Sequence, residues 1–287
     1  MPTSSLPSGT VEYRVYGPDG SERPPVVFVH GVLAPAALWH EVAARLGAAG
    51  FRCYAPDWPL GSHRIPWGSS ADRSPAGAAR LIADFLEAHD LRGATLVGND
   101  TGGALCQFLV DARPDLVGRL VLTNCDAFDQ FPPQPFKATL GLMKSKVITR
   151  IMLPAMWFRS IRNSPLGYGL LATDPDPAFT AAAIAPLRDA AILDDLVAFL
   201  RQVRPADLAA VTSRLESFTA PVALVWGMAD GAFTPALGRR LAAAIPGATF
   251  TEVPGSRTFV ALDRPEAVVD AVTRISAVPT ASGPDLS

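Results

Sequence analysis

The feature that most constrains the fold is a regular alternation of short apolar runs with longer segments of helical periodicity. Strand-like runs such as PPVVFVHG, FRCYAPDW and ATLVGN are each followed by a helix-like segment. Strands and helices that alternate in this way form βαβ units, because neighbouring parallel strands need a crossover connection that a helix supplies. The sequence therefore predicts an α/β fold with a mostly parallel central sheet flanked by helices.

The alternation breaks at about Asp126 and resumes with the strand pattern PVALVWG. The segment between has helical periodicity, is interrupted by prolines and contains no convincing strand pattern. We therefore expect a helical cap, residues 126–217, inserted into a core formed by residues 1–125 and 218–276. The polar end of the chain, residues 277–287, is rich in Pro and Gly and is predicted to be a disordered tail.

Composition excludes several classes of protein. The 287 residues are 49% hydrophobic and carry a net charge of −2, which fits a globular chain without a nucleic-acid partner. The first residues lack the pattern of a signal peptide, and no apolar run approaches the roughly 20 residues that span a bilayer. The three cysteines and four histidines show no metal-ligand spacing. We expect a cytoplasmic protein that acts on a small molecule, with no metal, cofactor, nucleic acid or membrane partner; its oligomeric state stays open.

A glycine-rich turn, GNDTGG, connects the strand pattern ATLV to a helix pattern. Gly98 and Gly102 leave room for a sharp strand-to-helix turn that presents Asp100. The free N–H groups and the dipole of the following helix favour negative charge at this position. The pattern predicts a nucleophilic carboxylate at Asp100. The alternative is that Asp100 only caps the helix beginning at Thr101.

This turn and three further motifs together resemble the α/β-hydrolase superfamily with a helical cap, over roughly residues 9 to 275. An aspartate in the turn is typical of the branch that includes haloalkane dehalogenases and epoxide hydrolases. The other motifs are FVHG (28–31), VWGMAD (225–230) and VPGSRTFVALDRPEAV (253–268). The resemblance implies an oxyanion hole formed by the backbone amides of Val32 and Thr101, and a loop-bracing role for His30.

The resemblance also implies an acid and a histidine base. The acid maps to Asp230, with Asp126 after an earlier strand as the alternative. The family's histidine aligns with Thr258, and no histidine follows His89 in the chain. A threonine hydroxyl is too weakly basic to deprotonate water at neutral pH. His63, in the loop DWPLGSHRIPW, is expected to carry the proton instead or to bind the substrate, and a water held by Asp230 is another candidate base. The alternative for His63 is a solvent-exposed loop histidine that is hydrogen-bonded locally.

The substrate is expected to be a small or medium organic molecule in a largely hydrophobic pocket. Dehalogenases commonly place Trp after the nucleophile and Asn after His-Gly, whereas Thr101 and Val32 stand here. Epoxide hydrolases use cap tyrosines, and Tyr168 is the single tyrosine in the predicted cap. The residues predicted to contact substrate are Trp39, Asp126, Trp157, Tyr168, Thr258 and Phe259.

The sequence leaves three functions open. The first is a hydrolase that uses Asp100 covalently with a non-standard base. The second is a non-hydrolytic enzyme, such as a cyclase, isomerase or lyase, in which Asp100 transfers a proton. The third is a ligand-binding protein without turnover. Because function depends on the site and not on the fold alone, the site has to separate these hypotheses.

Overall fold

A computed structural model describes residues 1–68 and 70–278, which form one eight-stranded sheet with helices on both faces. The strand order is β1-β2-β4-β3-β5-β6-β7-β8. The pairs β1–β2 and β2–β4 are antiparallel, and the remaining pairs are parallel. The strands are β1 Thr3–Leu6, β2 Gly9–Tyr16, β3 Val26–Val29, β4 Cys53–Pro56, β5 Ala94–Asp100, β6 Val117–Cys125, β7 Val222–Gly227 and β8 Thr249–Val253.

The helices include those predicted between the strands. Ser74 caps the helix Pro75–Ala88 through a 3.0 Å hydrogen bond from the amide of Gly77, as Ser-Pro at a helix start predicts. Helices of the core are α1 His40–Ala48, α2 Pro75–Ala88, α3 Thr101–Ala112, α10 Pro235–Ala244, α11 Val260–Asp263 and α12 Pro265–Ser276. Between β6 and β7 lie α4 Phe136–Met143, α5 Lys146–Met156, α6 Arg159–Arg162, α7 Pro177–Ile184, α8 Ala190–Gln202 and α9 Pro205–Arg214.

The regular elements between Cys125 and Val222 are all helical, as the sequence predicts for residues 126–217. The division of the chain into a core and a cap stays a prediction, and the predicted tail beyond Val278 lies outside the described residues. Strand β1 was not predicted, because its four residues, TSSL, carry no apolar run. Among the described helices, none combines the length and apolar character needed to cross a membrane.

The central strands are buried because helices cover both faces of the sheet. Every residue of β3, β6 and β7 is buried, and in β5 only Asp100 keeps contact with solvent. Such continuous apolar strands are typical of parallel sheets covered on both sides. The buried side chains form two clusters that include residues of β3, β5 and β6, which fixes the central strands between two packed layers.

The strand order changes direction beside β3, and this determines where a ligand can bind. From β3 the chain crosses to β4 on one side and then to β5 on the other. At such a switch point the connections leave in opposite directions, so a crevice opens at the carboxyl ends of the two strands. Residue Asp100 ends β5 and the His30-Gly31 pair follows β3, so the topology brings these two segments to the same crevice.

Replacing Gly102 by alanine is expected to destabilise the fold by about 1–3 kcal/mol, since overpacking at a rigid contact carries that cost. The new Cβ would lie 2.2 Å from the carbonyl oxygen of Val29. Gly141→Ala in α4 is the matched control, because a Cβ there meets no atom within 4 Å and should stabilise the helix by about 0.5–1 kcal/mol. Urea denaturation measures both variants, and a neutral Gly102→Ala would contradict the packing described for the turn.

Candidate active site

The backbone at Asp100 has the strained conformation expected of a nucleophile turn. Asp100 has φ 54° and ψ −133°, between the end of β5 and the first residue of α3. A side chain at such angles costs of order 1–3 kcal/mol and persists only where the surrounding structure holds it. The close approach of Gly102 to the carbonyl oxygen of Val29 is part of that hold, because it presses the start of α3 against β3. With this backbone conformation, the Asp100 side chain points out of the sheet and into the crevice.

The carboxylate of Asp100 lies directly against the loop that follows β3. A Cβ on Gly31 would be 2.1 Å from Oδ2 of Asp100, so only glycine leaves space for the carboxylate here. His30 braces the same loop: its Nδ1 lies 3.0 Å from the carbonyl oxygen of Gly31, and its Nε2 accepts a 2.8 Å hydrogen bond from the amide of Trp58. Burial lowers the pKa of His30, so the ring is neutral and holds the loop rather than transferring protons.

The second carboxyl group, Asp230, is held by four donors. Its Oδ1 accepts the amides of Ala232 and Phe233 at 2.8 and 3.0 Å. Its Oδ2 accepts Nδ2 of Asn124 and the hydroxyl of Thr258, each at 2.8 Å. Burial nevertheless raises the pKa of Asp230 to about 6, with the four hydrogen bonds acting in the opposite direction. Asp230 therefore carries a negative charge at neutral pH beside Asp100.

Thr258 is fully buried and makes the contact with Asp230 that the resemblance assigns to a histidine. The side-chain amide of Asn99, the neighbour of Asp100 in the turn, lies 2.8 Å from the carbonyl oxygen of Thr258. The same amide contacts the Thr123 hydroxyl at 2.8 Å and the Asn124 carbonyl at 3.1 Å. Because the hydroxyl proton of Thr258 is donated to Asp230, this side chain supplies no base to the crevice.

The third carboxyl group, Asp126, is fully buried behind the turn. Its Oδ2 accepts a 3.1 Å hydrogen bond from the hydroxyl of Thr101, and its Oδ1 has no partner among the described residues. Burial, and then the charge of Asp100, raise the pKa of Asp126 well above its ordinary value. Asp126 therefore favours its neutral form and pairs with Thr101, not with Thr258. Of the two predicted acids, Asp230 is the one that contacts the position of the missing histidine.

Electrostatics place the ionisation of Asp100 near neutral pH. Removal from water raises its pKa to about 7, the charge of Asp230 adds to the increase, and the amide of Thr101 opposes it. Within the described part of the chain, no arginine, lysine or histidine is among the groups that shift the pKa of Asp100. Asp100 as a whole residue is half-buried, so the turn is not sealed from the crevice. A carboxyl group with these properties is present in both protonation states at neutral pH, as general acid–base catalysis requires.

A cavity of about 240 Å³ reaches the turn from the helical insertion. Val32 and Thr101, the two residues predicted to form the oxyanion hole, line it, and the cavity thus reaches Asp100 through its chain neighbour Thr101. The remaining wall comes mainly from apolar side chains of α4 and α8 and from the loops beside them. These residues are Phe131, Pro132, Lys137, Leu140, Gly141, Lys144, Phe199, Leu200, Val203 and Pro205.

His63 lies in a buried polar network that does not include Asp100. Its Nδ1 accepts a 3.2 Å hydrogen bond from the amide of Gly61, so Nε2 carries the proton and faces Oδ2 of Asp195 at 3.3 Å. Asp195, in α8, also pairs with Arg73 at 2.8 Å. Both ring nitrogens are thus occupied, and His63 ties its loop to α8. The buried pairing with Asp195 differs from the alternative of a solvent-exposed, locally bonded histidine, and a role for His63 in carrying protons for Asp100 stays a prediction without a direct contact.

The predicted substrate contacts are not brought together at the cavity; among the described residues, none of the six lines it. Trp39 was expected to touch substrate, but it is fully buried and stacks on Phe28 with ring centroids 5.0 Å apart, because it belongs to the core. The half-buried ring of Trp157 lies under the guanidinium of Arg188, 4.4 Å from its centroid. Asp126 and Thr258 are fully buried and form the hydrogen bonds with Thr101 and Asp230 described above.

Tyr168 and Phe259 pack together near the turn, with ring centroids 6.4 Å apart. The hydroxyl of Tyr168 donates to the carbonyl oxygen of Leu33, in the loop after β3. Burial, with a contribution from the charge of Asp100, raises the pKa of Tyr168 above its ordinary value. The tyrosine from the helical insertion thus lies electrostatically close to Asp100, although its hydroxyl is engaged by the backbone.

Asn99 and Asn124, which were not predicted as site residues, connect the turn to Thr258 and Asp230. The available signal was the run of polar residues at the carboxyl ends of two buried strands, GND at β5 and TNCD at β6. Buried amides must find partners, so such residues are candidates for networks at a site. Among the described residues, no group of three or more His, Cys, Asp or Glu side chains is arranged to hold a metal ion.

Asp100→Asn is expected to stabilise the protein above about pH 7, by about 1–3 kcal/mol after allowance for partial solvent contact. The folded pKa of Asp100 lies above its ordinary 3.8, so the unfolded chain loses its proton first as pH rises. The wild type therefore loses stability between about pH 4 and pH 7. Urea denaturation at pH 4 and pH 8 tests this: the two proteins should differ only at pH 8. Asp174→Asn, at an exposed position, is the control and should leave the stability unchanged at both pH values. An Asp100→Asn variant that is less stable than the wild type at pH 8 would contradict the desolvation of Asp100.

The comparisons with known proteins agree with this architecture. Haloalkane dehalogenase 2 of Mycobacterium tuberculosis is 24% identical over 273 residues, which cover 90% of this chain and 90% of that protein. The 2-hydroxy-6-oxononadienedioate/2-hydroxy-6-oxononatrienedioate hydrolase of Cupriavidus pinatubonensis is 26% identical over 85% of this chain and 84% of that protein.

A solved structure shows the same fold. The haloalkane dehalogenase from Bradyrhizobium elkani matches with a TM-score of 0.77 at 21% identity, over 96% of this chain and 98% of that one. The family model for the alpha/beta hydrolase family matches residues 26–271. The sheet order, the turn at Asp100 and this match agree: the chain belongs to the alpha/beta hydrolase family and has the α/β-hydrolase fold predicted from its motifs.

Proposed function

We propose that this protein is an acid–base enzyme on the α/β-hydrolase fold, in which Asp100 transfers a proton to or from a small or medium organic substrate in the adjoining cavity. The reaction is of the cyclase, isomerase or lyase kind, which needs no ester to be hydrolysed. The observation that carries the proposal is the carboxyl group of Asp100, whose pKa is raised to about 7 beside an apolar cavity.

The surroundings of Asp100 support proton transfer. A general acid or base is most effective when its pKa lies near the working pH. Burial and the nearby charge of Asp230 bring Asp100 into that range without a histidine. Asp230 itself is occupied by four hydrogen bonds, so its role is to hold charge beside Asp100 and to fix Thr258.

A covalent hydrolase is the second candidate, favoured by the backbone conformation of Asp100 and by the dehalogenases among the relatives. The site supports this function less well. Nucleophilic attack requires the ionised carboxylate, and with a pKa raised to about 7 only part of the population carries it at neutral pH. A departing halide needs a hydrogen-bond donor, and the side chain of Val32 offers none. The hydroxyl of Thr101 already donates its hydrogen bond to Asp126. Release of an ester would need a base, and neither Thr258 nor His63 has a free basic atom at the turn.

Deuterium uptake from D₂O by apolar carbon acids, such as phenylacetone and ethyl acetoacetate, tests the proposed function. Followed by NMR, uptake should be faster with the wild-type protein than in buffer. Asp100→Asn should reduce the enzymatic rate by about 10²–10⁴-fold, the usual contribution of a general acid–base group, whereas Asp174→Asn should leave it unchanged.

The covalent alternative gives a different result with alkyl halides and epoxides. A mass adduct on the peptide that contains Asp100, without any acceleration of deuterium uptake, would replace the proposed function by the covalent one. Ligand binding without either reaction would contradict both and would favour a binding protein.

A further inference from the structure

Two lysines form part of the cavity wall, and the proposed proton transfer at Asp100 makes no use of them. Lys137 and Lys144 are seven residues apart, at the start of α4 and just after its end. Leu140 and Gly141 lie between them, and all four line the cavity. The spacing i, i+3, i+4, i+7 is that of one helix face, so both ammonium groups belong to the face that borders the cavity.

No acidic side chain balances these charges at the cavity. Its lining contains two lysines and, among the described residues, no Asp or Glu. Within the described chain, neither Lys137 nor Lys144 is paired in a salt bridge, whereas the nearby Lys146 pairs with Asp194. Residues 130–173 contain six Lys and Arg and no Asp or Glu, although the whole chain has a net charge of −2. The wall formed by this segment therefore has a positive potential that favours anions.

The lysines are more exposed than Thr101, the lining residue that follows Asp100 in the chain. Lys137 is exposed and Lys144 half-buried, which places them at the mouth, whereas Thr101 beside Asp100 is 5% exposed. Neither lysine is among the groups that shift the pKa of Asp100. The lysines are therefore not counter-ions of Asp100, and their charges are available to a ligand. The rest of the lining is mainly apolar, with Leu140, Phe199 and Leu200 among its side chains.

We propose that the cavity binds an amphipathic organic acid, with its anionic group at Lys137 and Lys144 and its apolar body directed towards Asp100. This proposal rests on the proposed function, since it takes the cavity beside Asp100 as the substrate site. It adds the chemical class of the substrate. The cavity of about 240 Å³ is smaller than most drug-sized ligand sites, which suits a medium-length chain or a single ring. Anchoring the charged end at the mouth fixes which carbon atoms reach Asp100.

Calorimetric titration with octanoate and with the neutral octanamide tests the anion subsite. The wild type should bind octanoate about tenfold more tightly than octanamide at low salt, since two partly exposed ion pairs contribute an effect of this order. The preference should fall as NaCl screens the lysines. The double variant Lys137→Gln/Lys144→Gln should lose the preference and keep its affinity for octanamide. Lys146→Gln, which removes a lysine outside the cavity lining, should behave like the wild type.

Three results would overturn the proposal. The first is equal affinity of the wild type for octanoate and octanamide. The second is a preference for octanoate that survives in the double variant. The third is a loss of octanamide affinity in the double variant, which would assign the lysines a structural role. Titration of Asp100→Asn separates this proposal from the proposed function. If Asp100→Asn still prefers octanoate, the anion subsite is supported even where the deuterium-uptake experiment contradicts proton transfer. If Asp100→Asn binds the two probes equally, the anion subsite is overturned and the proposed function is not.

Discussion

The site depends on the removal of the Asp100 carboxylate from water at the strained end of β5. Every other feature of the site acts on this group. The glycines of the two neighbouring loops allow the close approach, the topology places the loop after β3 beside it, and the carboxylate of Asp230 adds a like charge. An aspartate in water loses its proton near pH 4, whereas this one does so near pH 7, and that difference separates a permanent anion from a group that can give and take protons.

The network around Thr258 explains how the site is stable without a histidine. Where a protein of this fold has a histidine, the acid orients its imidazole. Here the acid, Asp230, accepts hydrogen bonds from the hydroxyl of Thr258 and the side-chain amide of Asn124. These groups satisfy Asp230 without adding a base, and Asn99 ties the arrangement to the turn. The structure therefore has an internally bonded replacement at this position, which is more consistent with a different chemistry than with a damaged hydrolase.

The sequence predicted the parts of the structure that local pattern determines. The alternation of strands and helices, the glycines around Asp100 and the Ser-Pro start of α2 are local signals, and they predicted the sheet and the turn. The pairing of His63 was not predicted, because its partner, Asp195, is 132 residues away in α8. The stacking of Trp39 on Phe28 was not predicted, because a tryptophan near a loop has the same local pattern whether it lines a pocket or packs in the core. Positions that depend on contacts distant in sequence need the folded structure.

The pKa of Asp100 itself tests the account most directly. With aspartate carboxyl carbons labelled by ¹³C, the Asp100 resonance can be assigned by its absence from Asp100→Asn and followed by NMR from pH 3 to pH 9. The account predicts a midpoint near pH 7, well above the 3.8 of an ordinary aspartate. A midpoint near pH 4 would mean that Asp100 is a permanent carboxylate at neutral pH, and it would contradict proton transfer in favour of a nucleophile.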